Sequence, residues 1–143
     1  DAHGERNFHY WRSQSAARRL FAVEETAMFM PDADIIYLSG ITLAILTPAA
    51  RRRLVEALIL RRSAGSKIAF DSNYRPKLWE DAATARRTVQ AMWDITDIAL
   101  PSIDDEMALF GDATEAAVID RFAGKHWDGI AIKRGMRGPV VQT

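Results

Sequence analysis

Short apolar runs, each closed by polar turn residues, alternate along this chain with longer stretches of helical periodicity. No other feature constrains the fold as tightly. Ile35-Ile36-Tyr37-Leu38 ends at Ser39-Gly40, Lys67-Ile68-Ala69-Phe70 ends at Asp71, and Ile95 to Leu100 ends at Pro101. Gly129 to Lys133 runs into a turn that holds Gly135 and Gly138, and Gly138 to Thr143 reads as the start of another strand. Runs of this length and composition fit strands buried in a parallel sheet. Between the first two, Thr47-Pro48 places a capping hydroxyl before proline at the first helical position. Leu54, Val55, Leu58 and Ile59 then form one apolar face, and Gly65 stops the helix. A helix from about Asp81 to Trp93 turns Ala82, Ala85, Val89, Met92 and Trp93 inward, and Ser102 to Phe110 and Thr114 to Ala123 supply two more. Upstream, Phe8 to Arg12 reads as an aromatic strand and Ser15 to Met30 as a helix. The order β-α-β-α-β-α-α-β predicts an α/β fold built on a parallel sheet with helices on both faces. Ligands of such sheets sit at the carboxyl ends of the strands, so the residues just after Leu38, Phe70, Leu100 and Lys133 become the candidates for chemistry.

Composition narrows the partners. The 143 residues suffice for one domain, and 19 basic residues balance 19 acidic ones, so no net field draws the chain to nucleic acid or an anionic membrane. The absence of cysteine removes disulfides and thiolate metal sites and fits a reducing, cytoplasmic location. His3, His9 and His126 show no metal-ligand spacing. No apolar stretch is long enough to span a bilayer, and Asp1 to Arg6 does not read as a signal peptide. Both ends look cut, so the chain is expected to be a fragment of a longer polypeptide. P-loop, dinucleotide and nucleophile-elbow motifs are all missing. The arginine clusters at 18–19, 51–53, 61–62 and 86–87 read most simply as solvated helix faces.

Each strand end offers a functional and a plainer reading. Asp71-Ser72-Asn73-Tyr74-Arg75-Pro76 gathers a carboxylate, an amide, a phenol and a guanidinium that could grip a polyhydroxylated acid or a phosphate; Arg75 is the sharpest element because its planar fork matches either anion. The plainer reading is a turn before proline. Ser39-Gly40-Ile41-Thr42 would let the backbone approach a ligand closely, but the glycine reads more simply as a tight turn. Asp104-Asp105-Glu106 could hold Mg²⁺ directly or through water, whereas Ser102 with Asp105 resembles a capping box. Lys133-Arg134-Gly135-Met136-Arg137-Gly138 suits a polyphosphate or, equally, a turn between two strands with solvated arginines. On the aromatic strand, Tyr10 and Arg12 share a face that would suit a sugar acid.

Four collinear segments carry a more specific resemblance: Gly4 to Arg12, Leu38 to Ala44, Phe70 to Trp79, and Leu100 to Glu106. Together they resemble the 2-keto-3-deoxygluconate kinases of the ribokinase-like (PfkB) family, the Tyr-x-Arg strand and the Asp-x-Asn-Tyr-Arg-Pro loop pointing to the acid-sugar branch. The resemblance implies a three-layer α/β/α core over residues 13–143, with residues 1–12 in a small lid sheet of the kind that pairs subunits in the family. It implies ATP and Mg²⁺ as cofactors, and a sugar acid and a nucleotide as the small-molecule partners. Tyr10, Arg12, Arg75 and Ile41 are expected at the substrate, and Asn73, Tyr74, Arg75, Lys133, Gly135 and Gly138 along the nucleotide. The family's Asn-x-x-Glu near the metal is replaced here by Ser102 and Asp105, so Asp105, or alternatively Glu106, is the expected metal acid. The family's catalytic base follows a glycine-rich segment that would lie beyond Thr143. The alternatives left open are a kinase for a neutral sugar such as fructose and a non-catalytic sugar- or nucleotide-binding module.

Overall fold

The computed structural model describes residues 15–21 and 30–142, so the expected lid strand with Tyr10 and Arg12 lies outside the described residues, as does half of the helix expected over Ser15 to Met30, whose described start is a 3-10 helix, Ala16–Arg19. Five strands form one sheet in sequence order: β1 (Ile35–Ser39), β2 (Lys67–Asp71), β3 (Ile98–Leu100), β4 (Gly129–Ile132) and β5 (Val140–Gln142). The first four run parallel, and β5 returns antiparallel to β4. The helices are α1 (Gly40–Ile45), α2 (Pro48–Ser63), α3 (Ala82–Ile95), α4 (Ile103–Phe110) and α5 (Glu115–Ala123).

Local chemistry sets the helix boundaries. The Thr47 hydroxyl accepts from the Ala50 amide at 3.2 Å, Asp81 from Thr84 at 2.6 Å and Thr114 from Ala117 at 3.1 Å, each satisfying a donor the first turn would leave open. Gly111, at φ +83°, ends α4 in the left-handed conformation that other residues adopt at a cost. The capping box expected at Ser102 does not form; its side chain makes no cap bond.

Register fixes which face is core. Ile36 pairs with Ile68, Leu38 with Phe70, Phe70 with Ala99, and Ala99 with Ile130, so these share one face, and most of them are buried. Consecutive strand order with right-handed crossovers puts α1 to α5 on that face. Phe70, Trp93, Phe122 and Trp127 meet there edge to face, with Phe70 and Trp93 ring centres 4.7 Å apart, and join β2, α3 and α5. The opposite face carries Ile35 at 56%, Tyr37 at 59% and Val141 at 59% exposure. The second helical layer expected from the strand pattern is therefore not found among the described residues. The fully buried strand expected at Ile35 to Leu38 is an edge strand with alternate residues open.

One arginine departs from the solvated-face expectation. Arg51 is buried, donating to the Leu43 carbonyl at 2.9 Å, the Leu46 carbonyl at 3.2 Å and the Glu80 carboxylate at 3.1 Å, with its guanidinium 4.8 Å from the Trp79 ring centre. It closes the orphan carbonyls at the end of α1 and ties them to the segment following Arg75.

Candidate active site

The carboxyl ends of β1, β2, β3 and β4 lie along one edge of the sheet, and Asp71 at the end of β2 is the hub of that edge. Its Oδ1 accepts from Lys133 Nζ at 2.6 Å and from the Asn73 amide at 3.0 Å, while its Oδ2 lies 3.4 Å from the Tyr37 hydroxyl that donates to it. Burial, and then the Asp71 charge, push the Tyr37 phenol above its ordinary range. Sequence reasoning did not single out Tyr37. The signal was the alternation of β1: Tyr37 shares a face with Ser39, and Ser39 pairs with Asp71.

Asn73, at φ +29°, occupies a strained turn position held by the Asp71 carboxylate. The turn aims Arg75 back toward α4, where its Nη1 donates to the Tyr74 carbonyl at 2.7 Å and to Asp105 Oδ1 at 3.2 Å. The Arg75 side chain is still 42% exposed, so much of its fork faces outward. Burial pushes the Asp105 carboxyl up, opposed chiefly by Arg75. The Tyr74 ring packs in the core, and its carbonyl accepts from Arg75. Ile41 sits half-buried in the first turn of α1.

Backbone bonds stitch the edge together. Lys133 donates its amide to the Pro101 carbonyl at 2.8 Å and accepts from the Ile103 amide at 3.0 Å, bringing the end of β4 beside the start of α4. Ser72, fully buried, accepts the Ser102 amide at 2.9 Å. Gly135 and Gly138, at φ +60° and +74°, form a tight turn into β5. Of the expected cation trio, Lys133 alone joins the Asp71 cluster. Arg134 and Arg137 both grip Glu115 on α5, Arg134 at 3.2 Å, so the turn of the plainer reading is present but its arginines are ion-paired rather than simply solvated.

These elements fall inside a family match that spans residues 1–142, to the pfkB family carbohydrate kinases. The chain belongs to that family. It is 40% identical to the 2-dehydro-3-deoxygluconokinase of Escherichia coli K12 over 99% of its own length, and 41% identical to that of Dickeya dadantii over the same share. It spans about half the length of these curated relatives, 47% and 46%. A Vibrio cholerae fructokinase structure, with fructose, ADP and calcium bound, superposes with a TM-score of 0.73 at 18% identity, covering 87% of this chain and 40% of that one. At that identity the match supports the fold alone. No helix among the described residues is long and apolar enough to cross a membrane.

Of the three acids opening α4, Asp105 and Glu106 point in opposite directions. Glu106 is fully buried beneath the edge, paired with Arg121 at 3.0 Å, and Arg121 is shared with Asp112. Trp93 Nε1 lies near the same carboxylate without completing a hydrogen bond. Glu106 thus braces α4 against α5 and turns away from the site, which leaves Asp105 as the acid on the site side. Asp71 and Asp105 are both engaged by cations, and the described residues contain no group of three potential ligands. Such a donor set does not form a cage. A hydrated divalent cation that kept most of its waters would ask for one protein acid, and Asp105 is the acid on this side of α4.

Burial raises the Glu106 pKa to about 7 from 4.5. The folded chain then holds a proton that the unfolded chain has released between those values. The stability contributed by Glu106 therefore falls as pH rises through that window and levels off above it. Glu106→Gln is expected to abolish this part of the slope and to raise stability near pH 8 by on the order of 1–3 kcal/mol. Urea unfolding midpoints across pH 5 to 8 check it, and an unchanged slope would assign the titration elsewhere.

Proposed function

We propose that this chain is part of a kinase that transfers the ATP γ-phosphoryl group to the terminal hydroxyl of 2-keto-3-deoxygluconate. The observation that carries the reading is the outward guanidinium of Arg75 set against Asp105, one strand over from Lys133, at a sheet edge lying wholly within the 40% identity to 2-dehydro-3-deoxygluconokinases. Phosphoryl transfer asks the protein for position and charge stabilisation more than for covalent chemistry. Arg75 supplies a fork for the substrate carboxylate or a phosphate, Lys133 a point charge for the polyphosphate, and the Gly135–Gly138 turn a surface close enough for backbone approach by the nucleotide. Tyr10 and Arg12 would meet the acid end of the sugar, with Ile41 beside it and the Asn73 turn on the nucleotide side. Bound Mg²⁺ would offset charge on the phosphate oxygens, with Asp105 holding its water shell. The base that accepts the hydroxyl proton would come from sequence beyond Thr143 in the intact polypeptide.

ADP release by that polypeptide with Mg-ATP, compared across 2-keto-3-deoxygluconate, fructose and ribose, tests the reading. Turnover of the keto-deoxy acid with at least about 100-fold higher kcat/KM than the neutral sugars is expected, because only the acid gives the arginines a charge to meet. Preference for fructose would keep the kinase and discard the substrate. Turnover of none would leave a binding module.

A further inference from the structure

We propose that Asp71 is a positioning residue, which holds the Lys133 ammonium and the Asn73–Arg75 turn in one register across the end of β3. The inference rests on the kinase reading for what Lys133 then meets. Sheet order places β3 between β2 and β4, so Lys133 must reach over a full intervening strand, roughly 9–10 Å of sheet, to touch Asp71. A lysine that spans this distance is extended and committed, whereas an unpaired one samples many rotamers and must order itself on each binding event. Its side chain remains 42% exposed while Asp71 is 16% exposed. One of the three ammonium donors goes to Asp71, which leaves others free for an incoming anion.

The same Asp71 oxygen that takes the ammonium takes the Asn73 amide. A single carboxylate thus sets the turn that aims Arg75 and the cation on the neighbouring crossover, and Tyr37 braces its second oxygen from β1. Asparagine at position 71 is close to isosteric. It can still accept the Asn73 amide but gives Lys133 no charge, so it separates the two duties.

The experiment is ADP binding by calorimetry in the intact polypeptide, with the wild type, Asp71→Asn, Lys133→Met and the double variant, each checked for an unchanged urea midpoint. Asp71→Asn is expected to weaken ADP binding about tenfold. The double variant should bind no more weakly than Lys133→Met alone, because the Asp71 effect runs through Lys133. Lys133→Arg, which keeps the ion pair, should stay within about threefold of wild type. In turnover, Asp71→Asn should raise the KM for ATP and leave that for the sugar acid within about twofold. Multiplying effects in the double variant, or a rise confined to the sugar-acid KM, would overturn the assignment, as would a wild type that binds no ADP. A wild type that binds ADP with the expected variant pattern, yet phosphorylates no sugar acid, would sink the substrate reading and leave this one standing. If Asp71→Asn does not fold, Asp71→Glu, which keeps the charge but moves the carboxylate, takes its place in the same cycle.

Discussion

Replacing Arg75 by alanine in the intact polypeptide should lower kcat/KM for the sugar acid by about 100- to 1000-fold, through both a higher KM and a lower kcat. Two losses combine. The first is the outward fork itself, and a charge-assisted, partly desolvated contact removed from one side is worth on the order of 2–5 kcal/mol. The second is internal. Asp105 is 18% exposed and its carboxyl is already pushed up by burial, with Arg75 the leading influence against that rise. Without the guanidinium, the Asp105 carboxyl is pushed up further and loses the contact that fixes it beside the turn after β2. Lysine at this position should recover only part of the loss, since it restores charge without the fork. Steady-state kinetics on the alanine and lysine variants separates these losses. Both constants staying within about twofold of wild type would remove Arg75 from the site.

The sequence pattern reached the fold further than it reached the site. The strands from Ile35 onward, apart from the one expected at Ile95 that begins at Ile98, the helix starts at Thr47, Asp81 and Thr114, and the gathering of strand ends were legible, because each follows from periodicity and capping chemistry local in sequence. What escaped was set by tertiary partners. Arg51 looks like its neighbours Arg52 and Arg53, and only the Leu43 and Leu46 carbonyls and Glu80 reveal why it is buried. Tyr74 reads as a polar site residue, yet the turn sends its ring into the core. Three consecutive acids read as one cluster, but helical geometry turns Glu106 inward to Arg121 and Asp105 toward Arg75. Asp71 was visible as a member of its loop, while its grip on Lys133, 62 residues away, was not. Ser39-Gly40 read as a tight turn or a place for a ligand to approach, and neither reading foresaw the Ser72 backbone packed against Gly40.

Among the described glycines, Gly40 leaves the least room for a methyl group. A Cβ on Gly40 would overlap the Ser72 carbonyl oxygen and stand 3.2 Å from the Ser72 carbonyl carbon and 3.4 Å from the Asn73 oxygen. The constraint is spatial rather than torsional, since Gly40 is not among the positive-φ residues. Backbone cannot rotate aside as a side chain can, so Gly40→Ala must move either α1 or the Ser72–Asn73 strand end. Ser72 is fully buried and holds the Ser102 amide, so a shift there is passed on to α4 and Asp105 as well as to the turn that aims Arg75. Overpacking of this kind costs on the order of 3 kcal/mol. In a polypeptide about twice the length of this chain, as its curated relatives are, that lowers the thermal midpoint by about 5 °C. If phosphoryl transfer takes place at this sheet edge as proposed, a displacement near 1 Å there should also lower kcat by about 100-fold in whatever protein remains folded. Thermal unfolding and kcat measured on the same preparation distinguish the two effects. A midpoint within about 2 °C of wild type together with an unchanged kcat would show that the contact between α1 and the β2 end yields without cost, and that the edge does not depend on it.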